Sequence, residues 1–227
     1  ELKTPATPVQ GGFYVVTMTE VGTSGSLRII AQAAADNGEV QQNYGGSGMS
    51  VFFWFNAKAG ATFRLQTLSI TGGTSAVPYT LRVDYKGVPD DNEPNDVRGA
   101  ATVLEPNTPI QGYLFAGYET SASVAVAAWE DWFKVHLPGG TAQISLTDLA
   151  SDIGAQVELF DSSGVSKDSS FAPAGANVVW TPPVADTAVG DYFIKISQYI
   201  VVSKGNGSTV PAYVTQPYTL KVTTPAP

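Results

Sequence analysis

Two stretches of this chain, PYTLRVDY (78–85) and PYTLKVTT (217–224), are near copies of one another. The correspondence continues backwards in the same order. GMSVFFW, ending at Trp54, matches GANVVW, ending at Trp180, and DNG (36–38) meets SSG (162–164). Further upstream, GGFYVVTMTEV (11–21) falls on GGTAQISLTDL (139–149) without a gap, so that Val16, Met18 and Val21 pair with Ile144, Leu146 and Leu149. Collinear matches of this kind indicate two copies of one structural unit. Whatever fold the chain adopts must therefore be built twice.

Within each copy, apolar and polar residues alternate with the period of two that a half-buried strand requires. VVTM, LRII, VFFWF, TFRLQ and YTLRV carry the pattern in the first copy; AQISL, QVELF, DYFIKI and YTLKV carry it in the second. The 23 glycines and 15 prolines supply the turns between them. The pattern predicts an all-β protein of two tandem antiparallel β-sandwiches, jelly-roll-like, over residues 1–87 and 88–227. DVRGAATVL (96–104) is the helix-like exception, where Asp96 is placed to cap a single turn.

The copies differ at their front. The second is preceded by the acidic stretch DDNEPND (90–96) and by PIQGYLFAGYETSASVAVAAW (109–129), whereas Glu1 falls about where Trp129 does. The first copy is therefore expected to lack its opening strands, or to have them outside this stretch of sequence. A sandwich without an edge strand leaves backbone groups unpaired. Its open edge is expected to be covered by the second domain, by a preceding domain, or by a second copy through strand addition.

Charge and composition exclude several functions. The net charge of −8 repels nucleic-acid phosphates and anionic membranes, so neither is expected as a partner. No apolar run is long enough for a membrane helix, and membrane insertion is not expected. Without cysteine there is no disulfide, thiolate zinc site or thiol nucleophile. The single histidine, His136, rules out a His-rich metal site; in FKVHL it is expected to point outward. ELKTPATP at one end and TTPAP at the other read as linkers of a longer polypeptide.

The second copy, residues 90–227, resembles the bacterial pre-peptidase C-terminal domain. NEPND (92–96) with the Ala-containing segment after it, EDWFKVHLPGG (130–140), VELFDSSG (157–164), and VGDYFIKIS (189–197) closed by YTLKV (218–222) carry the likeness, in that order. Residues 10–86 resemble the same domain with its front missing. The resemblance implies a noncatalytic sandwich appended to secreted or surface proteins, related to the collagen-binding domains of clostridial collagenases. It also implies a calcium site in the acidic segment ahead of the sandwich, with Asp91, Glu93, Asn95, Asp96 and Asp131 as ligands. Calcium takes six to eight oxygen ligands, which carboxylates and an asparagine carbonyl supply. The chain departs from the family where a further acidic residue is often found, here Ala127, Ala128 and Trp129. The alternative reading of the stretch is a turn at Glu93-Pro94 with Asn95 and Asp96 capping the short helix.

Trp54 and Trp180, matched in the repeat, read as core residues. Trp129 lies outside the repeat and is an aromatic candidate for ligand binding. So are Tyr199 and Tyr213, which flank the long loop between Gln198 and Gln216. NGS at Asn206 has the pattern of a glycosylation sequon. The function expected is a noncatalytic, extracellular accessory or adhesive module of a bacterial secreted or cell-surface protein. It would bind an extracellular protein, cell-wall or polysaccharide partner, with calcium stiffening the segment between the copies. The alternative is a C-terminal processing or secretion domain of a secreted peptidase precursor.

Overall fold

The computed structural model describes residues 1–6, 11–19, 21, 25–34, 39–57, 59–70, 78–114, 118–119, 125–126, 130–182, 189–201 and 210–224. The protein is all-β. Among the described residues the only helical turns are two short 3-10 segments, Arg98–Ala100 and Ala212–Val214. The chain divides into two compact units. Unit 1 comprises Glu1–Pro89 with Tyr118–Val126 and Gly205–Val210; unit 2 comprises Asp90–Gly117, Ala127–Lys204 and Pro211–Pro227.

Unit 1 is built from β1 (Leu2–Lys3), β2 (Gly12–Thr19), β3 (Leu27–Ala33), β4 (Glu39–Gly45), β5 (Val51–Ala57), β6 (Thr62–Ser69) and β7 (Thr80–Gly87). They form two sheets, β1-β6-β3-β4 and β5-β2-β7. Alternation buries one side of each strand. Tyr14, Val16 and Met18 of β2 meet Phe53 and Phe55 of β5 and Ile29 and Ala31 of β3 in one core. Aromatic rings dominate it, with Phe55 and Phe63 edge to face at 4.9 Å.

Unit 2 holds β8 (Thr102–Leu104), β9 (Ile110–Gly112), β12 (Asp131–Leu137), β13 (Gln143–Thr147), β14 (Ile153–Asp161), β15 (Ser166–Ala172), β16 (Val178–Trp180), β17 (Gly190–Val201) and β18 (Tyr218–Thr223). The intervening pair β10 (Tyr118–Glu119) and β11 (Ala125–Val126) belongs to unit 1. The sheets of unit 2 are β15-β14-β17-β12-β8 and β16-β13-β18-β9, antiparallel except for the parallel contact of β8 with β12. Phe133, Val135 and Leu137 of β12 alternate inward with Ile194 and Ile196 of β17 and Leu159 of β14.

The order β1-β6-β3-β4 in unit 1 has the same connectivity as β12-β17-β14-β15 in unit 2, and β5-β2-β7 the same as β16-β13-β18. A register shift between Ala31 and Gln32 in β3 recurs between Leu159 and Phe160 in β14. The tryptophans are not equivalent, however. Trp180 stands opposite Ile144, on the core side, whereas Trp54 stands opposite Val15, and it is Phe53 that faces Val16. Neighbouring residues point to opposite faces of a strand, so a match one residue out of register exchanges core for exterior. Trp54 is nevertheless buried, with Phe13 and Asn56, on the other side of β2 and β5 from the core.

Candidate functional site

The acidic stretch folds against the start of β12. Asp90 is buried and organises the turn: its carboxylate accepts the backbone N–H groups of Asn92 at 3.0 Å and Tyr113 at 2.9 Å. The Asn92 side chain donates to the Gln111 carbonyl, and Thr102 Oγ1 donates to the Asn92 carbonyl at 2.9 Å. Glu93 precedes a cis proline and accepts the Asn95 N–H at 3.1 Å. The Asn95 carbonyl then accepts the Trp132 N–H at 2.9 Å, which fastens the stretch to β12.

Asp131, the first residue of β12, is fully enclosed. The Tyr218 hydroxyl donates to its Oδ2, but its Oδ1 accepts no hydrogen bond. Burial pushes the Asp131 carboxyl well above the usual range; the Tyr218 hydrogen bond opposes this, while the charges of Asp90, Glu93 and Asp96 reinforce it. Burial raises the Asp90 carboxyl too, against its backbone hydrogen bonds. Asn95 is also buried, and its Oδ1 likewise accepts no hydrogen bond. Buried polar atoms are nearly always satisfied, so two orphaned acceptor oxygens in one acidic neighbourhood need an explanation.

These oxygens are of the type that a hard cation takes. Asn95 and Asp131 offer an amide and a carboxylate oxygen, and Glu93 and Asp96 add carboxylates close enough to Asp131 to be felt by its proton. Among the described residues no group of three acidic or histidine side chains is already arranged as a metal cage. The N-cap position of the 3-10 turn is occupied by Val97, in extended conformation, which makes no side-chain cap hydrogen bond.

The other predicted residues are dispersed. Trp129, with Ala127 and Ala128, lies outside the described residues, as does Asn206. Tyr199 is exposed, and its ring lies 4.8 Å from that of Phe171, also exposed. Tyr213 is not available to a ligand. It is buried, its backbone N–H donates to Asp152 at 3.2 Å, and burial beside Asp152 raises its hydroxyl. The 3-10 turn at Ala212–Val214 folds it inward because Asp152 captures the N–H groups of both Ala212 and Tyr213. His136 is exposed on β12, its Nδ1 2.9 Å from Asp191, which also pairs with Lys134 at 2.7 Å.

Sequence reasoning passed over an open cleft in unit 1 of about 600 Å³, lined by Arg28, Gln42, Asn43, Tyr44, Leu68 and Ile70. Arg28, Tyr44 and Leu68 are brought into one cross-strand row by the register of β4, β3 and β6. Long-range pairing alone makes that row, and no local motif announces it.

The sequence matches no family model and no curated relative. Among solved structures, the pre-peptidase C-terminal domain of a collagenase from Bacillus anthracis is 18% identical, at a TM-score of 0.34 over 54% of this chain and 93% of that one. The tandem CBM22-1-CBM22-2 domains of Paenibacillus barcinonensis Xyn10C are 10% identical, at 0.27 over 98% of this chain and 84% of theirs. At such identities and scores these likenesses decide neither family nor function.

Proposed function

We propose that this protein is a noncatalytic extracellular binding module, made of two diverged copies of a pre-peptidase C-terminal-like sandwich, whose second copy holds a calcium ion. The observation that carries the metal is the pair of buried, unsatisfied oxygens, Asn95 Oδ1 and Asp131 Oδ1, in an acidic pocket. An ionised carboxylate is costly to bury without a compensating charge. A divalent cation would supply that charge and would hold Asp131 ionised. Glu93, Asn95, Asp96 and Asp131 would be its protein ligands, with Asp91 at the rim and Asp90 shaping the loop. The ion would tie residues 91–96 to the start of β12 and so stiffen the entry to unit 2. The partner in this reading is an extracellular protein or polysaccharide, and the setting a secreted or cell-surface bacterial protein.

Calorimetric titration of chelator-stripped protein with calcium, alongside thermal melts in calcium and in EDTA, tests the metal. Binding to the folded state alone raises stability by about 2.7 kcal/mol at a hundredfold excess over Kd. The expected result is saturable binding with an upward shift in melting, both lost in Asp131→Asn and Asp96→Ala. Neither heat nor shift would leave the acidic stretch as a hydrogen-bonded turn with a proton on Asp131.

A further inference from the structure

The open cleft of unit 1 lies on the outer face of the sheet formed by β6, β3 and β4. Leu27, Ile29 and Ala31 of β3 belong to the core, so Arg28 and Ile30 between them point outward. Arg28 stands opposite Tyr44 of β4 and Leu68 of β6, and Ile30 stands opposite Gln42 and Gln66. Two neighbouring rows result, one with a ring, a guanidinium and an aliphatic chain, the other with two amides. Ile30 is buried, whereas Tyr44 is 71%, Ile70 49% and Leu68 36% exposed.

The ring is presented from a fixed backbone. Asn43 Oδ1 accepts the Tyr44 N–H at 2.8 Å, and Asn43 Nδ2 donates to the Phe52 carbonyl of β5 at 2.7 Å. Arg28 keeps hydrogen-bonding capacity that the protein does not use. Its Nε donates to no acceptor, and its Nη2 makes only a long contact with Glu39 at 3.5 Å. The cleft therefore sets an exposed aromatic face and aliphatic side chains beside polar groups that both donate and accept. Its volume of about 600 Å³ is that of a small-ligand site.

We propose that this cleft binds a neutral polysaccharide, with the C–H face of one pyranose ring laid on Tyr44 and neighbouring hydroxyls bonded to Gln42 and Arg28. A pyranose has the same division as the cleft, an apolar face with a rim of hydroxyls that donate and accept. Charge favours a neutral sugar over an acidic one. The cleft has no acidic lining, its cation Arg28 is already beside Glu39, and the net charge of −8 repels a polyanion. Size favours a sugar over a protein, since a stable protein interface takes about 20–30 residues a side and seven line this cleft. The proposal rests on the reading of the protein as a binding module and gives that module a ligand class; it does not involve the calcium site.

The test is calorimetric titration of the whole chain in EDTA with cellohexaose, xylohexaose, mannohexaose and chitohexaose, with hexagalacturonate as the acidic counterpart and gelatin as the protein one. Saturable binding of at least one neutral hexasaccharide is expected, with hexagalacturonate at least about tenfold weaker. Tyr44→Ala is expected to weaken binding at least about tenfold, whereas Tyr44→Phe, which keeps the ring, retains it. Melting temperatures of both variants are expected to match that of the unaltered protein, because the side chain is exposed. Failure of all four neutral sugars to bind, equal or tighter binding of hexagalacturonate, or unchanged affinity in Tyr44→Ala would overturn the proposal. Gelatin bound through Tyr44 in place of sugar would make the partner a protein and overturn the choice of ligand. Sugar bound through Tyr44 but cleaved, seen as new reducing ends, would support the site and overturn the noncatalytic reading, so the two fail separately.

Discussion

Asp131 and Asp161 are both aspartates in the same unit, and their surroundings send them in opposite directions. Asp131 is enclosed beside other carboxylates and has its proton affinity raised. Asp161 ends β14 half-buried, where Lys167 Nζ lies 2.6 Å from its carboxylate and the N–H groups of Ser163 and Val165 donate to it at 3.0 Å. The Lys167 hydrogen bond, then those of Ser163 and Val165, hold its carboxyl well below the usual range. A lowered folded-state value contributes stability above the ordinary aspartate value of about 3.9 and loses it as pH falls towards the lowered one. Asp191 behaves alike, through Lys134 first and His136 second. Urea midpoints measured from pH 5 down to pH 2 are therefore expected to fall on acidification, and less steeply in Asp161→Asn. An equal slope in that variant would assign the acid loss to other groups. Both carboxylates are partly exposed, so solvent screening keeps the effect small.

Pairing between strands determines which residues reach the pocket. β9 lies against β18 with Gly112 opposite Tyr218. A Cβ on Gly112 would collide with the Tyr218 hydroxyl and come within 2.7 Å of its ring carbon Cζ. The absence of a side chain there lets Tyr218 lie flat enough to reach Asp131. Gly112→Ala is expected to cost about 1–3 kcal/mol in urea unfolding, as overpacking does in a filled core. Gly190→Ala, at the start of β17 with nothing within 4 Å of the added carbon, is expected to be near neutral. Equal effects would show that space around Tyr218 is not what Gly112 provides. The same dependence on register separates Trp54 from Trp180. Their flanking sequences align, but strand pairing puts Phe53 where the repeat suggests Trp54.

Two compact units with separate cores are expected to unfold in separate steps, since a chain of this kind need not melt as one cooperative block. Of the residues proposed to hold the ion, Glu93, Asn95 and Asp131 are fixed by hydrogen bonds or burial within unit 2. Scanning calorimetry is therefore expected to resolve two transitions, of which calcium raises only one, and Asp131→Asn should abolish that shift. A single transition, or an equal shift of both, would contradict the assignment of the ion to unit 2 alone. Unit 1 carries an open cleft around Tyr44.

Alternation and repetition determined, from sequence alone, that the chain is β throughout and that its strands recur in the same order. Both are local signals, carried by every pair of neighbouring side chains. The acidic stretch was equally plain to read, with its two possible meanings of ion site and helix cap. Only tertiary structure showed that the N-cap position of the turn falls on Val97, which makes no side-chain cap hydrogen bond, and that Asn95 and Asp131 keep buried oxygens unsatisfied. It also turned Tyr213 inward through Asp152, sixty-one positions away, and left Tyr199 outside. Such outcomes depend on which distant strand lies alongside, and a pattern of neighbours holds no record of that. Burial is a property of the whole packed layer: the same Tyr-Thr-Leu is core at 218–220, where β9 and β12 cover it, and surface at 79–81, where no described strand does.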